Sequence, residues 1–257
     1  MKRLFLIAVI VAMICPALRA DVLGEFHFEG RLDNRIPISL TFCVNGSYVV
    51  VGEITYTHVN STPILLVGDT DVNLESFSLR EFLPDGTVTG MLSFKIDLET
   101  GEDYPVLYDG IWTNPRTGQT FKINVEDAAC HADFSQFYDY ASESDIKGEY
   151  AYKIWDKNLN RMVTNTATFS ESVNHAVAFS FRCHEFGDVS LATKPDAPVQ
   201  LIPMTYDSFY KKDFDETGLG VEAQFYKKFV VVRTARNGED VKCFAGSVDG
   251  VYFKKTK

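Results

Sequence analysis

Long apolar runs are almost absent from the chain, cysteine is scarce and positive charge is in the minority; each shortage removes a class of protein. In 257 residues the one extended hydrophobic stretch is the twelve-residue run from Leu4 to Cys15. A helix that crosses a bilayer needs about 20 apolar residues, so no membrane span is expected. Lys2 and Arg3 precede the run and small residues end it in "MKRLFLIAVIVAMICPALRA", so residues 1–20 are expected to be a secretory signal peptide, with cleavage after Ala17 or Ala20. Cys15 is a poor acceptor for a lipid anchor, with Met13 and Ile14 before it and Pro16 after it. The expected location is outside the cytoplasm, periplasmic or extracellular.

Basic residues number 25 against 35 acidic ones. The leader holds three of the basic residues and no acidic one, so the exported chain would carry a formal charge of −13. Such a surface repels nucleic acid and anionic lipid. The charge is uneven: 21–126 carries 16 acidic and 6 basic residues, 127–145 carries 5 and none, and 146–257 carries 14 and 16. An acidic front, an acidic connector and a near-neutral back follow.

Catalytic motifs are also missing. There is no phosphate-binding glycine loop, no nucleophile elbow and no HExxH helix. The chain has only five cysteines and five histidines, and two Cys-His pairs stand out, Cys130–His131 and Cys183–His184. Their donor types suit zinc, but neighbours on a strand point to opposite faces, so no metal site and no cofactor are expected. His27, His58 and His175 are dispersed. A thiol nucleophile would oxidise outside the cell and lacks a marked base. Four cysteines follow the leader, Cys43, Cys130, Cys183 and Cys243, an even number suited to disulfides. Three pairings are open; the charge-based division favours Cys43 with Cys130, outside the front unit, and Cys183 with Cys243, inside the back core. "GDTDVNLE" (68–75) resembles the start of a calcium loop, but Leu74 stands where glycine is required and Arg80 where glutamate is, which leaves a solvated turn.

What the chain does have is alternation. Apolar and polar residues alternate at period two through the front, bounded by "NG" (45–46), "PDG" (84–86) and "NPRTG" (114–118). Strands are expected near 23–30, 36–44, 47–57, 63–68, 72–82, 87–96, 106–113 and 119–125. Eight such strands in a local meander curl until their edges meet or nearly meet. Gly52, Gly90 and Gly110 lie inside strand-like runs, as bends of a curling sheet do. Alternation puts Ile36, Ile38, Leu40 and Phe42 inside, with Val50, Ile54 and Tyr56, then Val88, Leu92, Phe94 and Ile96, then Phe121, Ile123 and Val125; a bulge beside a glycine would reverse the phase.

The expected fold is all-β: an eight-stranded antiparallel front barrel or curled sheet at 21–126, an acidic aromatic connector at 127–146 and a second antiparallel β domain at 147–257. Phe134, Phe137, Tyr138 and Ala141 fall at helical spacing, so one short helix is expected in the connector. In the back, strands are expected at 147–155, 163–169, 176–184, 188–193, 198–206, 221–234 and 250–255.

The successive stretches "NGSYVVVGEITY" (45–56), "LREFLPDGTVTGMLSF" (79–94) and "YDGIWTNPRTGQTFKINV" (108–125), with "CFAGSVDGVYFKK" (243–255), resemble a type of exported two-domain β protein of Gram-negative bacteria. The resemblance rests on turn and bend positions over most of the chain; it implies export and a barrel-like front and carries over no catalytic residue. The architecture is also loosely like the calycin barrels of lipocalins and avidins, by analogy alone.

The function expected from these features is a noncatalytic cell-envelope binding module for a protein, a glycan or a small apolar ligand. Trp112, Tyr56 and Tyr108 are the candidate wall of a ligand site at the barrel mouth. Two alternatives stand beside it: a carboxylate-dependent hydrolase acting at the mouth, and an acidic inhibitor of a cationic hydrolase such as lysozyme.

Overall fold

The computed structural model describes residues 22–58, 60–98, 105–128, 133–170, 176–177, 179–183, 189–190, 202–203, 208–211, 219–236 and 249–255. The fold is all-β. Its first eight strands are β1 (Val22–Leu32), β2 (Ile36–Asn45), β3 (Val49–Tyr56), β4 (Asn60–Thr70), β5 (Ser76–Phe82), β6 (Val88–Asp97), β7 (Val106–Thr113) and β8 (Thr120–Ala128). Each pairs antiparallel with the next, and β1 returns to β8 through Leu32↔Ile123 and Phe28↔Ala128 to close the barrel. Closure removes the open edges that a meander of this length would otherwise expose.

The interior is packed rather than hollow along most of its length. Phe26, Phe28, Phe42, Phe77 and Phe94 are buried together with Leu40, Val44, Leu66 and Ile96. Phe77 and Phe94 stack at 5.1 Å between ring centres, and Phe42 lies 5.1 Å from Phe26 and 5.6 Å from Phe94. Only glycine fits opposite Phe42 at position 52, where a Cβ would come within 2.3 Å of both the Phe42 Cβ and the Thr41 carbonyl oxygen. The interior positions expected from alternation lie in or against this core, with one exception. Val88 is on the outer wall, because the β5–β6 register shifts between Glu81↔Gly90 and Phe82↔Val88 and the extra residue reverses the phase.

The second sheet is antiparallel and curled. It contains β9 (Gly148–Asp156), β10 (Arg161–Phe169), β12 (Phe179–Cys183), β13 (Val189–Ser190), β15 (Ser208–Lys211), β16 (Leu219–Phe225), β17 (Phe229–Arg236) and β18 (Gly250–Lys254), in the order β13-β12-β10-β9-β18-β17-β16-β15. β11 (Ala176–Val177) and β14 (Ile202–Pro203) form a separate two-stranded sheet. The run expected as one strand at 221–234 is a hairpin instead, turning at 226–228, where Tyr226 donates its N–H to Phe229.

The short helix expected in the connector is a 3-10 turn, Ser135–Tyr138, followed by a second at Glu143–Asp145. At the start of the first turn Asp133 Oδ1 accepts the Ser135 N–H at 2.9 Å. Beyond it the chain is drawn onto the second sheet: Ala141 N–H donates to the Phe225 carbonyl, and Lys227 N–H to that of Asp139. Those bonds compete with a continued helical ladder.

The second sheet completes its core on the outside of the barrel. Cys43, Val51, Val67, Phe82 and Val88 on the barrel wall share one apolar cluster with Tyr150, Phe225, Tyr252 and Phe253 of the sheet and Phe134 and Phe137 of the connector. Polar bonds cross the same seam. Asn45 Nδ2 donates to Gln224 Oε1 at 2.8 Å, and Lys153 N–H donates to the Gly86 carbonyl at 2.8 Å. Arg233 spans it, with Nη1 2.8 Å from the Ser47 carbonyl oxygen and Nη2 2.5 Å from Glu222 Oε2. Removing one partner of a buried ion pair leaves the other charge uncompensated, at a cost of about 3–5 kcal/mol. Arg233→Ala is therefore expected to lower unfolding free energy by that amount in urea titrations. Single-tryptophan variants reporting from Trp112 in the barrel and Trp155 in the sheet should lose their signals at one shared midpoint; separate midpoints would show that the seam does not couple the two sheets.

Candidate functional site at the barrel mouth

One end of the barrel is formed by the loops at 33–35, 57–58, 83–87 and 114–119. The strand ends beneath them bring an acid into the apolar interior. On β5, Phe77 and Leu79 point inward, and alternation carries Glu81 to the same face, where it is 2% exposed. Three side chains from three other strands donate to it. Tyr56 from β3 donates its hydroxyl to Oε1, Trp112 from β7 donates Nε1–H to Oε1 at 2.8 Å, and Thr89 from β6 donates its hydroxyl to Oε2 at 3.2 Å. Trp112 stacks on Phe121 of β8, ring centres 5.5 Å apart.

Two local features of the chain make this arrangement possible. The β6 bulge turns Thr89 toward the acid, and position 90 has no side chain. A Cβ at Gly90 would lie 2.4 Å from both Glu81 Oε2 and Trp112 Nε1, so the carboxyl and the indole meet only across a glycine. The barrel floor below is closed, since Ile54, Leu79 and Leu92, one same-face step deeper on the strands of Tyr56, Glu81 and Gly90, are buried. Tyr56 and Trp112 remain half-buried, and they roof the acid at the open end.

Burial is the largest influence on Glu81 and pushes its pKa up, against the three donated hydrogen bonds, which favour the anion. Tyr56 is also pushed up, by burial first and then by the neighbouring Glu81 charge. A carboxyl in this setting is expensive. An apolar residue at the same inward position of β5 would continue the core, so the fold itself does not call for an acid there.

Two of the three mouth residues expected from sequence, Tyr56 and Trp112, therefore converge on one group. Tyr108 does not join them. It is 43% exposed on the outer wall, where the Lys95 ammonium lies 5.7 Å from its ring centre. The β6–β7 register shifts between Ser93 and Lys95 and Asp109 has φ +52°, so β7 changes phase between Tyr108 and Trp112. Glu81 itself escaped sequence reasoning among so many acidic residues; its signal was an acid in phase with Phe77 and Leu79.

Cys43 is a free, buried thiol on the outer wall, with Sγ donating to the Val51 carbonyl at 3.5 Å. Burial pushes its pKa up to about 12, the opposite of an activated nucleophile. It lies outside the barrel interior, in the core that the connector and the second sheet build on that wall. No disulfide is seen among the described residues; Cys130 and Cys243 lie outside them, and so do His131 and His184. Cys183 is placed by its backbone alone, in β12. The "GDTDVNLE" stretch is a turn: Asp71 Oδ1 accepts the Glu75 N–H at 2.8 Å, and the Asp71 carbonyl accepts that of Leu74. Compared with protein-family models, with curated proteins and with solved structures, the chain matches none.

The raised pKa of Glu81 has a definite pH signature. A carboxyl whose folded pKa lies above its ordinary 4.5 favours the folded state fully below pH 4.5, and that contribution is lost as pH rises through the folded value. Glu81→Gln has no such titration and keeps an oxygen for Tyr56 and Trp112. Its stability relative to the unchanged protein should rise with pH above 4.5, at up to about 1.4 kcal/mol per pH unit. Urea titrations of both proteins from pH 4 to 8 measure it; a difference that stays flat would refute the assignment.

Proposed function

We propose that the protein is an exported, noncatalytic binding module whose barrel mouth takes a small ligand. The observation that carries this reading is Glu81, a costly buried acid held by Tyr56, Trp112 and Thr89 directly beneath a half-exposed aromatic rim. Polar groups few in number and fixed in an apolar concavity are how small-molecule sites obtain orientation. The leader-like N terminus supports export. Glycoside-type hydrolysis needs two carboxyl groups facing across a cleft, whereas the groups that meet Glu81 are a phenol, an indole and a hydroxyl.

A second reading draws on a different observation, the phenylalanine-filled barrel interior, which leaves the acidic outer surface of 21–126 as the recognition element. On that reading the barrel docks a cationic protein, with an affinity that falls steeply with salt.

The chain has two tryptophans, and Trp155 belongs to the second sheet with Arg116 over its ring, so a Trp155→Phe variant leaves Trp112 as the sole reporter. Titrating it with benzyl alcohol, benzylammonium, benzoate and glucose should give a saturable change in Trp112 emission with at least one compound. The same titrations followed by calorimetry should show at least tenfold weaker binding for Trp112→Ala. Silence across the whole panel would overturn the mouth as a ligand site and leave docking to a cationic protein, tested by salt-dependent binding to lysozyme.

A further inference from the structure

The mouth also carries information about the charge of its ligand. A carboxylate offers about four acceptor positions. Three are taken, two on Oε1 by Tyr56 and Trp112 and one on Oε2 by Thr89, whose 3.2 Å bond is the longest of the set. The open position is therefore on Oε2, the oxygen that lies against Gly90. All three donors are neutral groups, so the acid has hydrogen bonds but no counter-charge from them. Four of the six basic residues in 21–126 are engaged elsewhere: Arg31 with Glu126 at 2.7 Å, Arg35 with Asp33 at 3.3 Å, Lys95 with Asp109 at 3.5 Å, and Arg116 over Trp155 at 4.9 Å.

Aromatic side chains stand beside the acid on its other oxygen. Trp112 and Tyr56 bond the acid directly and Phe121 stacks on Trp112. A segment carrying ten more acidic than basic residues adds a long-range field that favours a cation. Below the acid, buried Ile54, Leu79 and Leu92 close the interior to a long chain.

Resting on the mouth as a ligand site, we propose that its ligand is a small organic monocation, a protonated primary amine on a compact apolar or aromatic body. The ammonium takes the open position on Glu81 Oε2, and the body of the ligand lies against Trp112 and Tyr56. Fatty acids and other anionic amphiphiles are excluded twice, by the acid at the mouth and by the filled floor. An amine supplies the missing counter-charge, so binding converts an expensive buried acid into a paired one.

The probes are benzylammonium, its neutral isostere benzyl alcohol and the anion benzoate, titrated by calorimetry at pH 7 and 0.15 M salt. The unchanged protein should bind benzylammonium at least tenfold more tightly than benzyl alcohol, with benzoate weakest. In Glu81→Gln that preference should fall to about threefold or less, through loss of benzylammonium affinity. Equal affinity for the amine and the alcohol, or an alcohol preference, would overturn the cation assignment while leaving the mouth as a ligand site. A preference that survives Glu81→Gln would overturn it too, by tracing selectivity to the general acidic surface. Binding of none of the three probes would overturn it outright. The comparison within the unchanged protein needs no variant to fold.

Discussion

Part of the barrel wall is buried on both faces, and the rest of the molecule is arranged around that constraint. Its inner face packs on phenylalanines, and part of its outer face packs on a second sheet. Strands β2 and β3 are thus nearly continuous runs of buried residues, from Leu40 to Asn45 and from Val49 to Gly52. A strand buried twice cannot present a solvated polar face, and the polar atoms it retains must find partners inside. Asn45 shows how: its Oδ1 accepts the N–H groups of Ser47 and Val49 at 3.0 Å each while its amide reaches Gln224 across the seam. One side chain both shapes the β2–β3 turn and joins the two sheets.

The same double burial explains which parts of the chain could be read in advance. Where one face is core and the other solvated, as in β6, alternation is clean, and the strand runs from Val88 to Asp97 against an expected 87–96. The "NG", "PDG" and "NPRTG" turns fall where hairpins turn, since glycine, asparagine and proline impose local geometry whatever packs around them. Alternation failed at two bulges. The extra residue at β5–β6 moved Val88 to the outer wall, and the irregularity of β7 separated Tyr108 from Trp112. A bulge is a one-residue event that costs little in sequence and reverses every side chain beyond it.

The candidate site was half legible for a related reason. Tyr56 and Trp112 stand out as aromatics on expected inward positions near strand ends. Glu81 carries its meaning only through its neighbours in space: a phenol from β3, an indole from β7, a hydroxyl turned inward by a bulge, and the empty side of Gly90. Those contacts span sequence separations of 8 to 31 residues and exist only once the barrel closes. The connector's expected short helix is a 3-10 turn for a related reason. Its aromatic spacing is helical, but hydrogen bonds to Phe225 and from Lys227 hold it in short turns against the second sheet, a tertiary preference that local pattern cannot show.

At the centre stands a single group whose environment disfavours its charge while its remaining acceptor position suits a cation. Carbon-13 NMR of the Glu81 side-chain carboxyl, assigned by comparison with Glu81→Gln and followed through a pH titration with and without benzylammonium, examines that group directly. The titration midpoint is expected above the ordinary glutamate value in the free protein, and it should fall when the amine is present. A midpoint at the ordinary value, unmoved by the amine, would contradict both expectations.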